Sequence, residues 1–371
     1  MSIDRRAFTA WLAAATLLPV AAHAAPRPPR QRAASHRMKP LLKPPRLRQG
    51  DTVALIAPGG YATEKSIAKA RANIEKLGFR VREGAFLREV NGNYAGTVHQ
   101  RLLDLHAAFA DPDIKMIWPI RGGSGCISLL AHLDYALIRA NPTILLGYSD
   151  ITALHLAIHR HARLVTFHGP VASSTMTDYS VEHMLAVLQD PQPDYTIPMA
   201  LENSRRALES PHFGMRTVHG GVATGTLMGG NLSMVAALAG TPYAADFEGS
   251  ILFLEEVNEA PYRIDRWLTQ LDLSVGLAKA AAVMVGICED CGPEHEEISL
   301  TLDQTLDIHL RPLTVPAVTG YSIGHIRNQF TIPVGLRARL DTGRQTVTLL
   351  EPAVSQDGSR RRVFMAPACV S

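Results

Sequence analysis

The 371-residue chain is short of the features that mark several protein classes. It has four cysteines, Cys126, Cys288, Cys291 and Cys369, too few for a dense disulfide framework. In "CEDCGPEH", Cys288, Cys291 and His295 have metal-like spacing, but a second paired cluster is missing. Free thiols, a short-span disulfide and zinc all stay open for that segment. Charge is also scarce: 19% of residues, with a formal net charge of +3. That balance does not suggest a nucleic-acid binder, which usually shows a basic block or stripe, so no nucleic-acid partner is expected. The early apolar run, Ala7 to Ala22, is short for a membrane span. Apolar content as a whole is not lacking. At 46% it supports one large core or two ordinary ones.

The N-terminus "MSIDRRAFTAWLAAATLLPVAAHAA" has a charged start, an apolar stretch and a small-x-small site at Ala22-His23-Ala24. That is the pattern of a signal peptide over residues 1–24, and Arg5-Arg6 before Ala7-Phe8 resembles a twin-arginine signal. A periplasmic protein is expected, mature from about Ala25 and without stable membrane insertion after cleavage. An uncleaved anchor is the alternative. Residues 25–49 are rich in Pro, Arg and Lys with no apolar period, which reads as a flexible basic linker.

"DTVALIAPGGYATEKSIAKARANIEKLGFRV" predicts a strand over 52–57, a break at Pro58-Gly59-Gly60, and a helix over 63–77 ended by Gly78. The same strand–turn–helix unit recurs at Lys115–Ile120 with the turn Arg121-Gly122-Gly123, and again in "ILLGYSDITALHLAIHR". Alternating strands and helices imply an α/β protein with a mostly parallel sheet covered on both faces. We read an N-terminal Rossmann-like or flavodoxin-like domain over 50–174, an interdomain crossing over 175–219, and a smaller C-terminal α/β domain of short strands over 220–371. A hairpin is expected around Asp341-Thr342-Gly343. A ligand cleft is expected between the domains, near strand carboxyl ends.

Within "GYSD", Ser149 stands where a buried strand turns into a helix. A serine there is pushed out at the sheet edge, and the N–H of Asp150 can face an oxyanion. The second glycine of G-x-S-x-G is absent, and Ser-Asp-x-Thr is also an ordinary helix-cap pattern, so both roles stay open. A nucleophile needs a base and an orienting carboxylate. Of fifteen histidines, His168 at a strand end and His325 in a Gly-flanked loop are the candidates. Glu255 closes an apolar strand where a surface acid is not expected; a salt bridge to Arg263 is its alternative. Arg121 suits a carboxylate clamp or a structural ion pair, with Arg263 and Arg327 as weaker candidates for the clamp. Asn231 suits a substrate contact or a helix cap. Ser124 and Cys126 also start a helix near the site, without an acid and base matched to them.

The segments "RGGSG", "NPTILLGYSDITALHLAI", "TFHGP", "GGNLSM", "ILFLEEVNEAPYRIDR" and "TGYSIGHI" stand in an order that resembles the LD-carboxypeptidase family, serine peptidases that trim murein tetrapeptides. The resemblance runs from about Leu47 to the C-terminal region. It implies Ser149 as nucleophile, Glu255 as orienting carboxylate and His325 as base. Asp150 with Gly122 or Gly123 would form the oxyanion hole, and Arg121 and Asn231 would meet substrate. It further implies a two-domain α/β fold with the site at the junction, no metal or organic cofactor, a murein tetrapeptide or related peptide as substrate, and a homodimer. Ser124 stands where the family often has an aromatic, which bears on acyl-side preference. A microcin-immunity-like amide hydrolase of the same family and a non-enzymatic envelope binding protein are the rival readings.

Overall fold

The computed structural model describes residues 40–190, 192–293 and 298–356. The signal-like segment, most of the basic linker, His295 and Cys369 lie outside them.

The first sheet is built from β1 (Thr52–Ile56), β2 (Arg80–Glu83), β3 (Ile114–Pro119), β4 (Ile144–Gly147) and β5 (Thr166–His168). These pair in parallel in the order β5-β4-β3-β1-β2. The second sheet takes β6 (Tyr195–Ile197), β7 (Arg216–His219), β8 (Val222–Asn231), β9 (Ser250–Glu255), β10 (Ala282–Gly286) and β11 (Ala317–Tyr321). Next in the chain, β12 (Ile332–Val334) returns to the first sheet and pairs antiparallel with β5. Then β13 (Arg337–Asp341) and β14 (Thr346–Leu349) form the expected hairpin in the second sheet.

Among the described residues the second sheet has eight strands to six in the first, so the C-terminal sheet is not the smaller one. Its centre, β8-β9-β10-β11, is parallel and its flanks are antiparallel. The stretch read as a crossing, 175–219, contributes β6 and β7, the two edges of that sheet.

Helices α1 (Glu64–Lys76), α2 (Val98–Ala110), α3 (Tyr135–Ala140) and α4 (Thr152–Ala162) follow successive strands or loops of the first sheet. After them come α5 (Asp178–Gln189), α6 (Leu201–Arg206), α7 (Leu232–Leu238), α8 (Pro261–Ser274) and α9 (Leu302–Leu310). Capping explains where α1 begins. Thr63 accepts the Ser66 N–H, and the Ser66 hydroxyl accepts the Thr63 N–H in return. Gly78, at φ 83°, follows its last turn.

The linker expected over 25–49 ends earlier than its composition suggests. The Leu42 N–H donates to Arg163 O at 2.7 Å, the Leu47 N–H donates to Leu188 O at 2.8 Å, and Leu47 is buried. Leu47, whose full burial is worth about 1.5–3 kcal/mol, and the half-buried Leu42 outweigh the prolines and arginines around them.

One apolar core runs through both sheets, from Trp118 and Phe167 to Phe253 and Tyr321. A hydrogen bond also ties the end of the second sheet to a helix of the first. The Asn231 N–H, at the end of β8, donates to Thr152 Oγ1 at the start of α4, 3.0 Å away. Gly230 at φ 141° permits this approach, since a Cβ there would stand 2.5 Å from Thr152 Cγ2. The carboxyl ends of β4, β9 and β11 consequently converge on one place.

Candidate active site

Ser149 stands two residues past the end of β4 and has φ 64°, a left-handed conformation that costs a non-glycine residue about 1 kcal/mol or more. Neither the short 3₁₀ turn it opens nor α4 receives a side-chain cap. That removes helix capping as the reason for this serine. Its strand end is braced from behind: His155 Nε2 donates to Gly147 O at 2.8 Å. Burial pushes the His155 pKa down to about 3, so the ring is neutral and free to act as that strut.

Gly122 lies against the serine. A Cβ at this position would stand 2.8 Å from Ser149 Cβ and 3.0 Å from both Ser149 Oγ and the Asp150 nitrogen. The Arg121-Gly122-Gly123 turn therefore has to be bare backbone. Asp150 presents its amide at the same place, while its carboxylate points away and accepts the Cys126 N–H at 2.9 Å. Burial raises the Asp150 pKa, and the Cys126 hydrogen bond offsets only part of the rise. The loop is also held from below by Arg101, which sequence reasoning missed. Arg101 is buried and donates to Pro58 O at 2.8 Å and Gly125 O at 2.9 Å.

Glu255 ends β9 with no solvent exposure, and His325 Nδ1 donates to its Oε2 at 2.8 Å. Burial alone would raise the Glu255 pKa, but the charge and hydrogen bond of His325 outweigh it and hold the carboxyl below its ordinary value. Burial likewise pulls His325 down, and Glu255 more than reverses it, so the imidazole sits above 6.5. The alternative partner, Arg263, pairs with Glu259 at 3.0 Å. His325 stands edge-on to Tyr148, ring centroids 4.5 Å apart.

His168 does not reach the cavity. It is buried behind Glu255, with Nε2 4.0 Å from Oε1, and burial pushes its pKa down to about 4. A neutral ring there leaves His325 as the histidine beside Ser149.

Ser149 and His325 line one cavity of about 360 Å³, together with Arg121, Gly122, Gly123 and Tyr148. Among the described residues Arg121 has no ion pair or hydrogen bond, so its guanidinium is uncommitted at the cavity wall. Asn231 is not in the lining of that cavity. It lies 4% exposed beneath the site, and its amide donates to Glu256 Oε1 at 2.8 Å rather than facing a ligand. Nor does it cap α7 with its side chain; Glu256 Oε2 takes that role by accepting the Ser233 N–H at 2.8 Å.

The Ser124 hydroxyl accepts from Asn93 Nδ2 at 3.0 Å. Cys126 is buried, and burial and the Asp150 charge push its thiol well up, out of the reactive range. Cys288 and Cys291 are free thiols, and no group of residues suited to a metal ion occurs among the described residues. A depression of about 470 Å³ between Gly220-Gly221 and Asp341-Thr342-Gly343 has no histidine in its lining, its Asp341 is paired with Arg344 at 3.6 Å, and its Thr342 hydroxyl donates to Gly221 O at 3.1 Å.

Two family profiles match the chain in sequence order. The LD-carboxypeptidase N-terminal domain covers residues 53–169 and the LD-carboxypeptidase C-terminal domain covers 224–340. The chain belongs to the LD-carboxypeptidase family. It is a serine-type carboxypeptidase, a hydrolase. A probable murein peptide carboxypeptidase of Bacillus subtilis is 36% identical over 314 residues, covering 85% of this chain and 96% of that one. The murein tetrapeptide carboxypeptidase of Pseudomonas aeruginosa is 34% identical over 301 residues, covering 79% and 94%. Among solved structures, an MccF-like protein from Bacillus anthracis superposes with a TM-score of 0.72 at 27% identity, covering 84% of this chain and 99% of the other. The mixed α/β two-domain fold is thus that of the LD-carboxypeptidase and MccF structures.

Proposed function

We propose that this LD-carboxypeptidase is exported, by the twin-arginine route, and removes the terminal D-alanine from murein tetrapeptides in the periplasm. The observation that carries the chemistry is the 2.8 Å His325–Glu255 hydrogen bond at a cavity that His325 and Ser149 both line.

In this reading His325 Nε2 takes the Ser149 proton as Oγ attacks the amide carbonyl. Glu255 fixes the tautomer through Nδ1–H and stabilises the imidazolium. The Asp150 and Gly122 or Gly123 N–H groups face the oxyanion, each worth about 10²–10³ in rate. His325 then protonates the leaving amine, and water frees the acyl group from Ser149. Arg121 takes the terminal carboxylate, which is what restricts cleavage to the end of a peptide.

The microcin-immunity-like alternative draws support from the likeness to the MccF-like protein, and the signal-like N-terminus argues against a cytoplasmic substrate. The test offers the purified chain free murein tetrapeptide and, separately, a peptidyl-nucleotide amide. D-Alanine and tripeptide from the first, with the second left intact, is the expected result. Hydrolysis of the second alone would reverse the assignment.

A further inference from the structure

A second cavity, of about 430 Å³, opens two residues along the chain from the base. It is lined by Thr177, Glu202, Asn203, Arg206, Arg327 and Asn328. Its backbone floor is tightly fixed. Ser180 Oγ donates to Arg327 O at 2.9 Å, and Asn203 Nδ2 donates to Asn328 O at 2.9 Å. Its charged groups are unequal. Glu202 is paired with Arg205 at 3.4 Å, and Arg206 with Glu289 at 2.7 Å. Arg206 also lies over the Phe213 ring at 4.1 Å. Arg327 has no ion pair among the described residues, so the cavity keeps one uncommitted guanidinium on a rigid mount.

The sheet order gives this cavity a direction. Arg121 stands beyond β3, Ser149 beyond β4, and the Val171–Thr177 segment beyond β5, in the order β3-β4-β5. A peptide whose terminal carboxylate rests on Arg121 must run past Ser149 toward the β5 side. Adjacent strands are about 4.8 Å apart, so β3 to β5 is roughly 10 Å, about three residues of extended peptide. His325 and Arg327 are two residues apart in sequence, at most about 7.6 Å between Cα atoms.

We infer that this cavity is an acyl-side subsite in which Arg327, with Arg206 beside it, binds a second carboxylate of the substrate, two to three residues before its C-terminus. The inference rests on the proposed function. In murein peptides the acidic residue is joined through its side-chain carboxyl, which leaves an α-carboxylate free at that distance. Arginine matches it with a planar two-pronged donor. The site thereby distinguishes peptides with the free acid from those in which it is amidated.

The experiment compares two tetrapeptides, L-Ala-γ-D-Glu-diamino acid-D-Ala and its α-amidated counterpart, with the wild type and Arg327→Gln. The readout is kcat and KM for D-alanine release. The wild type should favour the free acid about five- to tenfold in kcat/KM, the scale of a partly exposed charge-assisted contact. Arg327→Gln should erase that preference, chiefly by raising KM for the acid. Equal loss on both peptides would make Arg327 merely structural, and no loss on either would make it a bystander; each overturns the subsite. Failure of the wild type to cleave either peptide would instead overturn the proposed function, and the subsite with it.

Discussion

The interaction most open to direct attack is the one between His325 and Glu255. Substituting Glu255→Gln keeps the shape of a fully buried side chain while removing its charge. Two consequences follow from the geometry. In the proposed mechanism the amide no longer dictates which nitrogen of His325 carries the proton, and it no longer stabilises the imidazolium formed as Ser149 attacks. Together these cost about 10³–10⁴ in kcat, or about 4–5.5 kcal/mol of barrier. The pH profile must move as well. Burial lowers the His325 pKa, and Glu255 is the main group that raises it past 6.5. The base works when neutral, so the acidic limb of the wild-type profile should lie above pH 6.5. In Glu255→Gln, burial dominates and the limb shifts to lower pH, even as the plateau falls. The assay is D-alanine release across pH 5 to 9, with circular dichroism to confirm an intact fold. A loss of less than about tenfold, or an acidic limb that stays in place, would refute the reasoning.

Other outcomes follow from neighbouring residues. Gly324→Ala should cut kcat at least about tenfold and lower Tm, because its φ is 128° and a Cβ would stand 2.6 Å from Ile287 O, one residue before the base; wild-type kinetics in that variant would contradict the packing. Asp150→Ala removes the acceptor of the Cys126 N–H and frees the loop bearing Gly122, so kcat should fall about 10²-fold while Asp150→Asn retains most of it. His168 is buried and neutral, with its pKa at about 4 against an ordinary 6.5. The unfolded chain therefore takes up a proton that the folded chain refuses. Stability from this group is complete above pH 6.5 and declines as pH falls toward 4, by about 3 kcal/mol. Urea unfolding at pH 7 and pH 4.5 should show that drop, and a smaller one in His168→Gln; equal stabilities of the wild type at the two pH values would count against it.

The candidates for this site were legible because each part announces itself locally, while the choice among them came from the family resemblance. Ser149 sits at a glycine-marked turn after an apolar strand, and Glu255 is an acid where the strand pattern calls for an apolar residue. His325 is displayed between glycines and polar residues. What stayed hidden depends on distant pairing. Nothing around Ile332–Val334 reveals that this strand leaves its neighbours and joins β5. Short strands carry a period but no address, and the same limit hid β6 and β7 as sheet edges. Asn231 does not show its place in the sequence, because a Gly-Gly-Asn segment suits a ligand contact and a helix cap alike. Its actual partner, Glu256, is identifiable only once β8 and β9 lie side by side, with Asn231 opposite Glu255. No motif around Arg101 marks it as buried. A buried arginine leaves a trace in sequence only through its company, here the Gly125 carbonyl that the following turn turns inward.

The central claim is that Ser149 carries the acyl group. Mixing the chain with murein tetrapeptide, quenching in acid within milliseconds and mapping the protein by mass tests it most directly. The account predicts a transient acyl adduct on the peptide containing Ser149, and neither adduct nor D-alanine from Ser149→Ala. D-Alanine release by Ser149→Ala at the wild-type rate, or an adduct on Ser124 or Cys126, would contradict it.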